Sequence, residues 1–440
     1  MMASIAITSC GSLADVLRKH CLLTPAQLAE LPHLVLGRCG EARGLARALI
    51  QKSWLTVYQV NQLLAGNGDE LVIGPYHVID RLGQGGLSQV FHAKHAEAGN
   101  EVAVKMIRPE VFACAEGRQQ FLQEVEAMAR LDHANIVQFC DADQWKDTYY
   151  FAMEYVEGTD LGKLVRLSGA LAVHEACDFI RQSATGLQHA YERNLVHRDI
   201  KPVNLFLTHI PIANAAKKQA ALLAAVREQD ERSVHPKSTM QMKPMIKILD
   251  WGLATLRNPK GATAELALEN ISKSIVGTAD YLSPEQARNA NTVDIRGDIY
   301  SLGCSLYCLL TGQAPFPNGA LMQKLIQHQQ AEPKPIDEFR GDVPAGATAI
   351  VKRMMAKRPE DRFQTPASVA LALLPFARRT TLAVNCTVPL LKVAVGLPTR
   401  DDTPMPPTLS GGSGQGFDRV GRPRSGPDDT ARPQRSSTSD

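Results

Sequence analysis

Two separated segments, His197-Arg198-Asp199-Ile200-Lys201-Pro202-Val203-Asn204 and Asp250-Trp251-Gly252, constrain this chain more than any other feature. Between them they hold a carboxylate suited to orienting an attacking hydroxyl (Asp199) and a cation for a moving phosphate (Lys201). They also hold two hard oxygen donors, Asn204 and Asp250, of the kind Mg²⁺ takes beside its waters and substrate phosphates. That set is the equipment of phosphoryl transfer, and any fold that hosts it must bring the two segments together.

Two further motifs lie upstream. Tyr76 to Leu82 reads as a strand, Gly83-Gln84-Gly85-Gly86-Leu87-Ser88-Gln89-Val90 follows, and a second strand runs from Val90 to Lys94. Glycines let backbone amides close over phosphates, and a strand-turn-strand frame is unlike a dinucleotide turn, which runs into a helix. Val102-Ala103-Val104-Lys105 alternates as a strand and ends in a lysine. Gln119 to Leu131 is a helical run containing Glu124, Asp132-His133-Ala134-Asn135-Ile136-Val137 follows it, and Tyr149 to Gly158 reads as a buried strand entering a connector.

Taken together, these motifs resemble the eukaryotic-like (Hanks-type) bacterial serine/threonine protein kinases, the Lys-Pro-x-Asn ending matching the serine/threonine branch. The resemblance covers residues 75 to about 378. It implies a bilobal α+β protein kinase fold, with a small antiparallel β lobe (75–158), a larger helical lobe (159–378), and ATP with Mg²⁺ or Mn²⁺ between them. The implied reaction is transfer of the γ-phosphoryl group of ATP to Ser or Thr hydroxyls of protein substrates. Asp199, Lys201, Lys105 and Glu124 are the implied catalytic residues, with an ion pair Lys105–Glu124, and Asn204 and Asp250 the implied metal ligands. Leu82, Gly83, Gly85, Gly86, Val90, Ala103, Lys105, Met153, Glu154, Val156 and Asn204 would hold the nucleotide. Asp160 is read either as a ribose contact or as a helix cap. His197 is given a packing role, because the family uses Asp199 for the proton.

Control is also implied. Arg198 would bind a phosphorylated activation segment through its guanidinium fork, with Ser272 and Ser274 as autophosphorylation candidates and Thr278 bonded to Asp199 and Lys201. Asp298 would tie down the catalytic-loop backbone, and Arg362 would pair with Glu285. The chain departs from the family at three points: Ser88 stands for the third glycine at the loop tip, Trp251 for a phenylalanine, and Ser283 for an alanine. The first two keep open a reading of another class, a nucleotide-binding pseudokinase scaffold acting through its N-terminal helices.

The flanks are less specific. Segments 12–20, 24–31, 41–54 and 56–65 read as short helices, a small all-helical module over residues 1–70 that resembles the leader of some planctomycete kinases. It serves either as a packing extension or as a surface for a homodimer or docking partner. Residues 209–245 form an insertion that leaves a strand end beside the active site, and could shield the cleft, dock a partner or be a surface excursion. After Thr380 the pattern decays and from Pro398 onward Pro, Gly, Ser, Arg and Asp dominate, so residues 379–440 read as a disordered tail, with six Arg matched by six Asp from Arg400 to Asp440.

A formal charge of +3 argues for neither nucleic acid nor a membrane surface. Nine cysteines without a CxxC pair fit a reducing compartment, and Cys304 and Cys308 read as buried small hydrophobes. Leu382 to Leu397 is interrupted by Asn385, Thr387, Pro389 and Lys392 and falls short of the ~20 apolar residues of a spanning helix. A cytoplasmic protein with no membrane span is expected.

Overall fold

A computed structural model describes residues 9–36, 41–85, 88–108, 125–211, 242–251, 279–288 and 293–377, with Gln119 and Gln123. Gly86, Glu124, Ser272, Ser274, Thr278, the middle of the insertion, the candidate span 382–397 and the tail lie outside the described residues.

The alternating apolar pattern of the small lobe folds into an antiparallel sheet of six strands: β1 (Val72–Ile73), β2 (Tyr76–Gln84), β3 (Ser88–His95), β4 (Glu101–Ile107), β5 (Phe139–Trp145) and β6 (Thr148–Glu154), in the order β1-β2-β3-β4-β6-β5. Ser88 is not at the tip of the glycine loop, as the sequence suggested. It is the first residue of β3, buried and paired with Ile107, and its carbonyl accepts the Gly85 N–H at 2.8 Å.

Among the described residues four α-helices precede the sheet: α1 (Cys10–Lys19), α2 (Pro25–Leu36), α3 (Ala42–Gln51) and α4 (Val57–Leu64). Thr56 begins α4 with a capping box, its hydroxyl taking the Gln59 N–H while the Gln59 side chain takes the Thr56 N–H. Their apolar sides share one core with the outer face of the sheet, where Leu13, Leu17, Leu45, Leu49, Val60 and Leu63 meet Val78, Phe91, Val102, Val104 and Tyr150. Thr56 Oγ1 and Gln59 Nε2 also donate to the Ile79 and Val78 carbonyls of β2, at 2.6 and 2.7 Å. The short β1 pairs only with the start of β2, so α4 covers backbone that would otherwise lie open at a sheet edge.

The large lobe begins after Gly158, where any Cβ would collide with the Leu207 carbonyl oxygen. It is built from α5 (Leu161–Ser168), α6 (Val173–Tyr191), α7 (Pro284–Arg288), α8 (Ile295–Thr311), α9 (Leu321–Gln330), α10 (Ala345–Met354) and α11 (Pro366–Leu373). Cys304 and Cys308 are buried in α8 as expected. A second sheet, β7 (Thr159–Asp160), β8 (Leu205–Pro211) and β9 (Met242–Ile248), carries the insertion. Strands β8 and β9 pair in unbroken register from Leu205↔Ile248 to Pro211↔Met242. The insertion therefore leaves from the end of the hairpin far from Asn204 and Asp250, about 20 Å away at ~3.4 Å per residue, which corrects its placement beside the active site.

Among the described residues no helix is long and apolar enough to cross a membrane.

Candidate active site

The site lies where β8 and β9 begin and end. Because Leu205 faces Ile248, the residues just outside the hairpin, Asn204 and Leu249, are neighbours, the Leu249 N–H donating to the Asn204 carbonyl at 2.9 Å, and Asp250 is the next residue along. The insertion thus does not separate the two segments.

Within the loop before β8, Lys201 Nζ lies 3.0 Å from Asp199 Oδ1, and Asn204 Nδ2 donates to the Asp199 carbonyl at 2.7 Å. All three side chains are buried. Directing Nδ2 at Asp199 fixes the amide and leaves Asn204 Oδ1 as an acceptor. From the small lobe, Lys105 Nζ donates to Asp250 Oδ1 at 2.7 Å.

The backbone here is held in an uncommon shape. Arg198 and Asp250 have φ of +63° and +61°, a region non-glycine residues rarely occupy. Asp298 of α8 holds the first turn by accepting the His197 N–H and the Arg198 N–H, both at 2.7 Å. Burial pushes the Asp298 carboxyl up, against the nearby His197 and these two N–H donors, which favour its charged form. His197 takes the Asp199 N–H on Nδ1 at 3.2 Å, and its Nε2 faces the Leu249 carbonyl at 2.8 Å. Only the Nε2–H tautomer satisfies both contacts, which makes the ring a strut between the two segments. The edge of the ring meets Trp251 at 4.7 Å between centroids. Trp251 is itself buried, lining a small apolar cavity with Met128, Leu131, Phe139, Phe151 and Met153.

Of the other sequence candidates, Val90, Ala103, Met153 and Val156 are buried and share one core with partly buried Leu82. Gly83 pairs with Val90, and Glu154 ends β6 opposite Val102. The Glu154 carboxylate accepts from Gln138 N–H at 2.8 Å and from Lys247 Nζ. Asp160 caps α5, accepting the Lys163 N–H at 2.7 Å. Arg198 Nε is buried, with no hydrogen-bond partner among the described residues. Arg362 grips Glu285 through both nitrogens, at 2.7 and 2.9 Å.

Sequence reasoning overlooked two contacts. Ser283 and Gln286 cap α7 reciprocally, and Gln286 Nε2 then donates to the Arg198 carbonyl at 2.7 Å. The only available signal was the Ser-Pro-Glu-Gln spacing of a capping box. Lys247 was the second, and nothing in a lone strand lysine announces a partner.

Residues 76–372 match the protein kinase domain family. This chain is a member of the protein kinase family. The kinase is 30% identical over 311 residues to the serine/threonine-protein kinase PknB of Mycolicibacterium smegmatis, covering 68% of this chain and 43% of that protein. It is 30% identical over 294 residues to PrkC of Bacillus subtilis, covering 67% of this chain and 39% of that one. The kinase thus stands in the Hanks-type bacterial branch, and the matched stretch spans less than half of either relative. Its fold is that of a double mutant of the PknI kinase domain of Mycobacterium tuberculosis, with a TM-score of 0.50 at 24% identity, covering 70% of this chain and 97% of that one.

Proposed function

We propose that this chain is a protein serine/threonine kinase that transfers the γ-phosphoryl group of ATP to Ser or Thr hydroxyls of proteins. The observation that carries the reading is the cluster of Asp199, Lys201 and Asn204 held at 2.7–3.0 Å, with Asp250 alongside. Asp199 orients the acceptor hydroxyl and takes its proton, and Lys201 stays beside it to meet the transferring phosphate. The adenine end belongs between Leu82, Val90, Ala103 and Met153, with the Glu154 carbonyl and the Val156 backbone as its polar contacts. Gly83, Gly85 and Gly86 are assigned to the nucleotide phosphates, as is Lys105.

Asn204 Oδ1 and Asp250 make a hard-oxygen pair that fits Mg²⁺ or Mn²⁺. The ion, when bound, neutralises phosphate charge. Arg198, whose buried Nε is unpartnered among the described residues, pairs with a phosphate carried on Ser272 or Ser274, while Thr278 addresses Asp199 and Lys201. Glu124 completes the set as a partner for Lys105.

The domain limits we assign are 1–70 for the leader, 75–378 for the kinase and 379–440 for the tail, in a cytoplasmic protein. A homodimer or docking partner through residues 1–70 would use the outer side of the leader, where Val57 is exposed.

The test is incorporation of labelled phosphate from ATP with Mg²⁺ into the chain itself and a generic protein acceptor. Wild type is expected to label both, and Asp199→Asn neither. Equal behaviour of the two proteins would return the reading to a nucleotide-binding scaffold.

A further inference from the structure

His92 follows Val90 by two residues on β3, and its register partner is Ala103, which in turn faces Met153. Directly paired residues of antiparallel strands share a face, and so do residues two apart. His92, Ala103 and Met153 therefore form a row across β3, β4 and β6, on the face that also carries Val90 and Lys105. Tyr155, two residues beyond Met153, lays its ring on His92, with centroids 3.8 Å apart and planes 11° from parallel. The edge of the imidazole is held as well, its Nε2 lying 2.9 Å from Glu101 Oε2. The His92 side chain is only 14% exposed.

The placement matters because Tyr155 has left the strand. Strand β6 ends at Glu154, and the next strand begins at Thr159, so the backbone at 155–157 has no ladder to hold it. The stack supplies a side-chain tie from that connector to the strand bearing Val90.

We propose that His92 is a positioning residue for nucleotide binding: stacked on Tyr155, it fixes the backbone of Glu154 and Val156 at a set distance from Val90 and Ala103. This rests on the preceding assignment of the nucleotide to that space. His92 acts through Tyr155 and does not touch the reacting atoms. Losing a ring contact of this kind corresponds to about 3- to 10-fold in affinity.

The experiment compares the full chain with His92→Ala, His92→Phe, Tyr155→Ala and the Ala/Ala double variant. KM for ATP, kcat and the Kd for ADP, read by a fluorescent ADP analogue and competition, are measured for each. His92→Ala is expected to raise KM and Kd about 3- to 10-fold with kcat within about twofold. His92→Phe, which keeps a flat ring, should return both to near wild type, and the double variant should be no worse than either single one. An unchanged Kd in His92→Ala overturns the proposal. So does a fall in kcat without a change in affinity, or a failure of Phe to rescue, since either marks a merely structural residue. If wild type binds ADP but transfers no phosphate, the kinase reading fails while the Kd series still decides on His92. If it binds no ADP, both fail.

Discussion

Lys105, on β4 of the small lobe, donates to Asp250 Oδ1 of the large lobe at 2.7 Å, with the two side chains 0% and 9% exposed. A contact so sealed from water is strong electrostatically and costly to leave half-made. It also joins the residue assigned to the nucleotide phosphates to one assigned to the metal.

Asp250→Asn is therefore expected to lower phosphate transfer by about 10²–10³ and to remove the dependence of ADP affinity on Mg²⁺. Lys105→Met should lower transfer as well but keep a Mg²⁺ effect on ADP binding. Titrating ADP with and without Mg²⁺ separates the two. An Asp250→Asn protein whose ADP affinity still responds to Mg²⁺ would move the metal assignment off Asp250.

Arg362 is 1% exposed, and besides Glu285 it donates to the Ala356, Arg296 and Lys357 carbonyls. Removing it strands the Glu285 carboxylate and three carbonyls. Arg362→Ala should cost ~3–5 kcal/mol, a fall in Tm of roughly 10 °C. Glu285→Gln, which keeps a hydrogen-bonding shape, should lose less. Thermal denaturation followed by circular dichroism checks the order.

The residues assigned to the chemistry were legible because phosphoryl transfer asks for those residue types at that spacing, and eight in register at His197–Asn204 leave little freedom. Asp298 and Arg362 were legible in the same way, through the motifs around them. What sequence could not give was partnership across elements. The amphipathic face of α4 announces burial without naming β2 as what covers it, and the stack of His92 on Tyr155 depends on strand register. Ser88 was misplaced because its position was counted along a motif, whereas the Gly85–Ser88 backbone bond decides where the turn closes. The exit of the insertion was misread because the strands continue in register to Pro211 and Met242 before the chain departs.

That register makes the insertion separable from catalysis. Replacing residues 212–241 with a short turn should leave kcat and KM for ATP within about twofold, because Leu205↔Ile248 still sets Asn204 against Leu249, the residue before Asp250. Shortening the loop should raise stability slightly, each halving contributing about 0.6 kcal/mol. Loss of activity with a retained urea midpoint would show that the segment acts on the site.

The leader should behave oppositely. Deleting residues 1–70 exposes Val78, Phe91, Val102, Val104 and Tyr150 and the Val78 and Ile79 carbonyls. At ~25 cal/mol per Å² of apolar surface, bare side chains of that size are not tolerated, and the truncated kinase is expected to aggregate or melt well below the full chain. A milder variant, Gln59→Ala, removes one buried donor and should cost about 1–3 kcal/mol without altering KM for ATP. A truncated protein as soluble and as stable as the full chain would rule out the leader as a packing extension of the sheet.

Acid should act through His328 of α9. Its ring is fully buried, its Nδ1 facing Tyr300 Oη at 2.9 Å and its plane edge-on to Phe316 at 4.9 Å. Burial, helped by the Lys357 charge, holds the imidazole down to about 4 from an ordinary 6.5. A histidine depressed in the folded state is neutral there while the unfolded chain takes up a proton, so its stabilising share is full above pH 6.5 and falls as the pH drops toward 4. Between pH 7 and pH 5 that share falls by about 2 kcal/mol. Urea midpoints of wild type should drop more over this interval than those of His328→Asn, which has nothing to titrate there. Parallel pH profiles would place the acid sensitivity in another group.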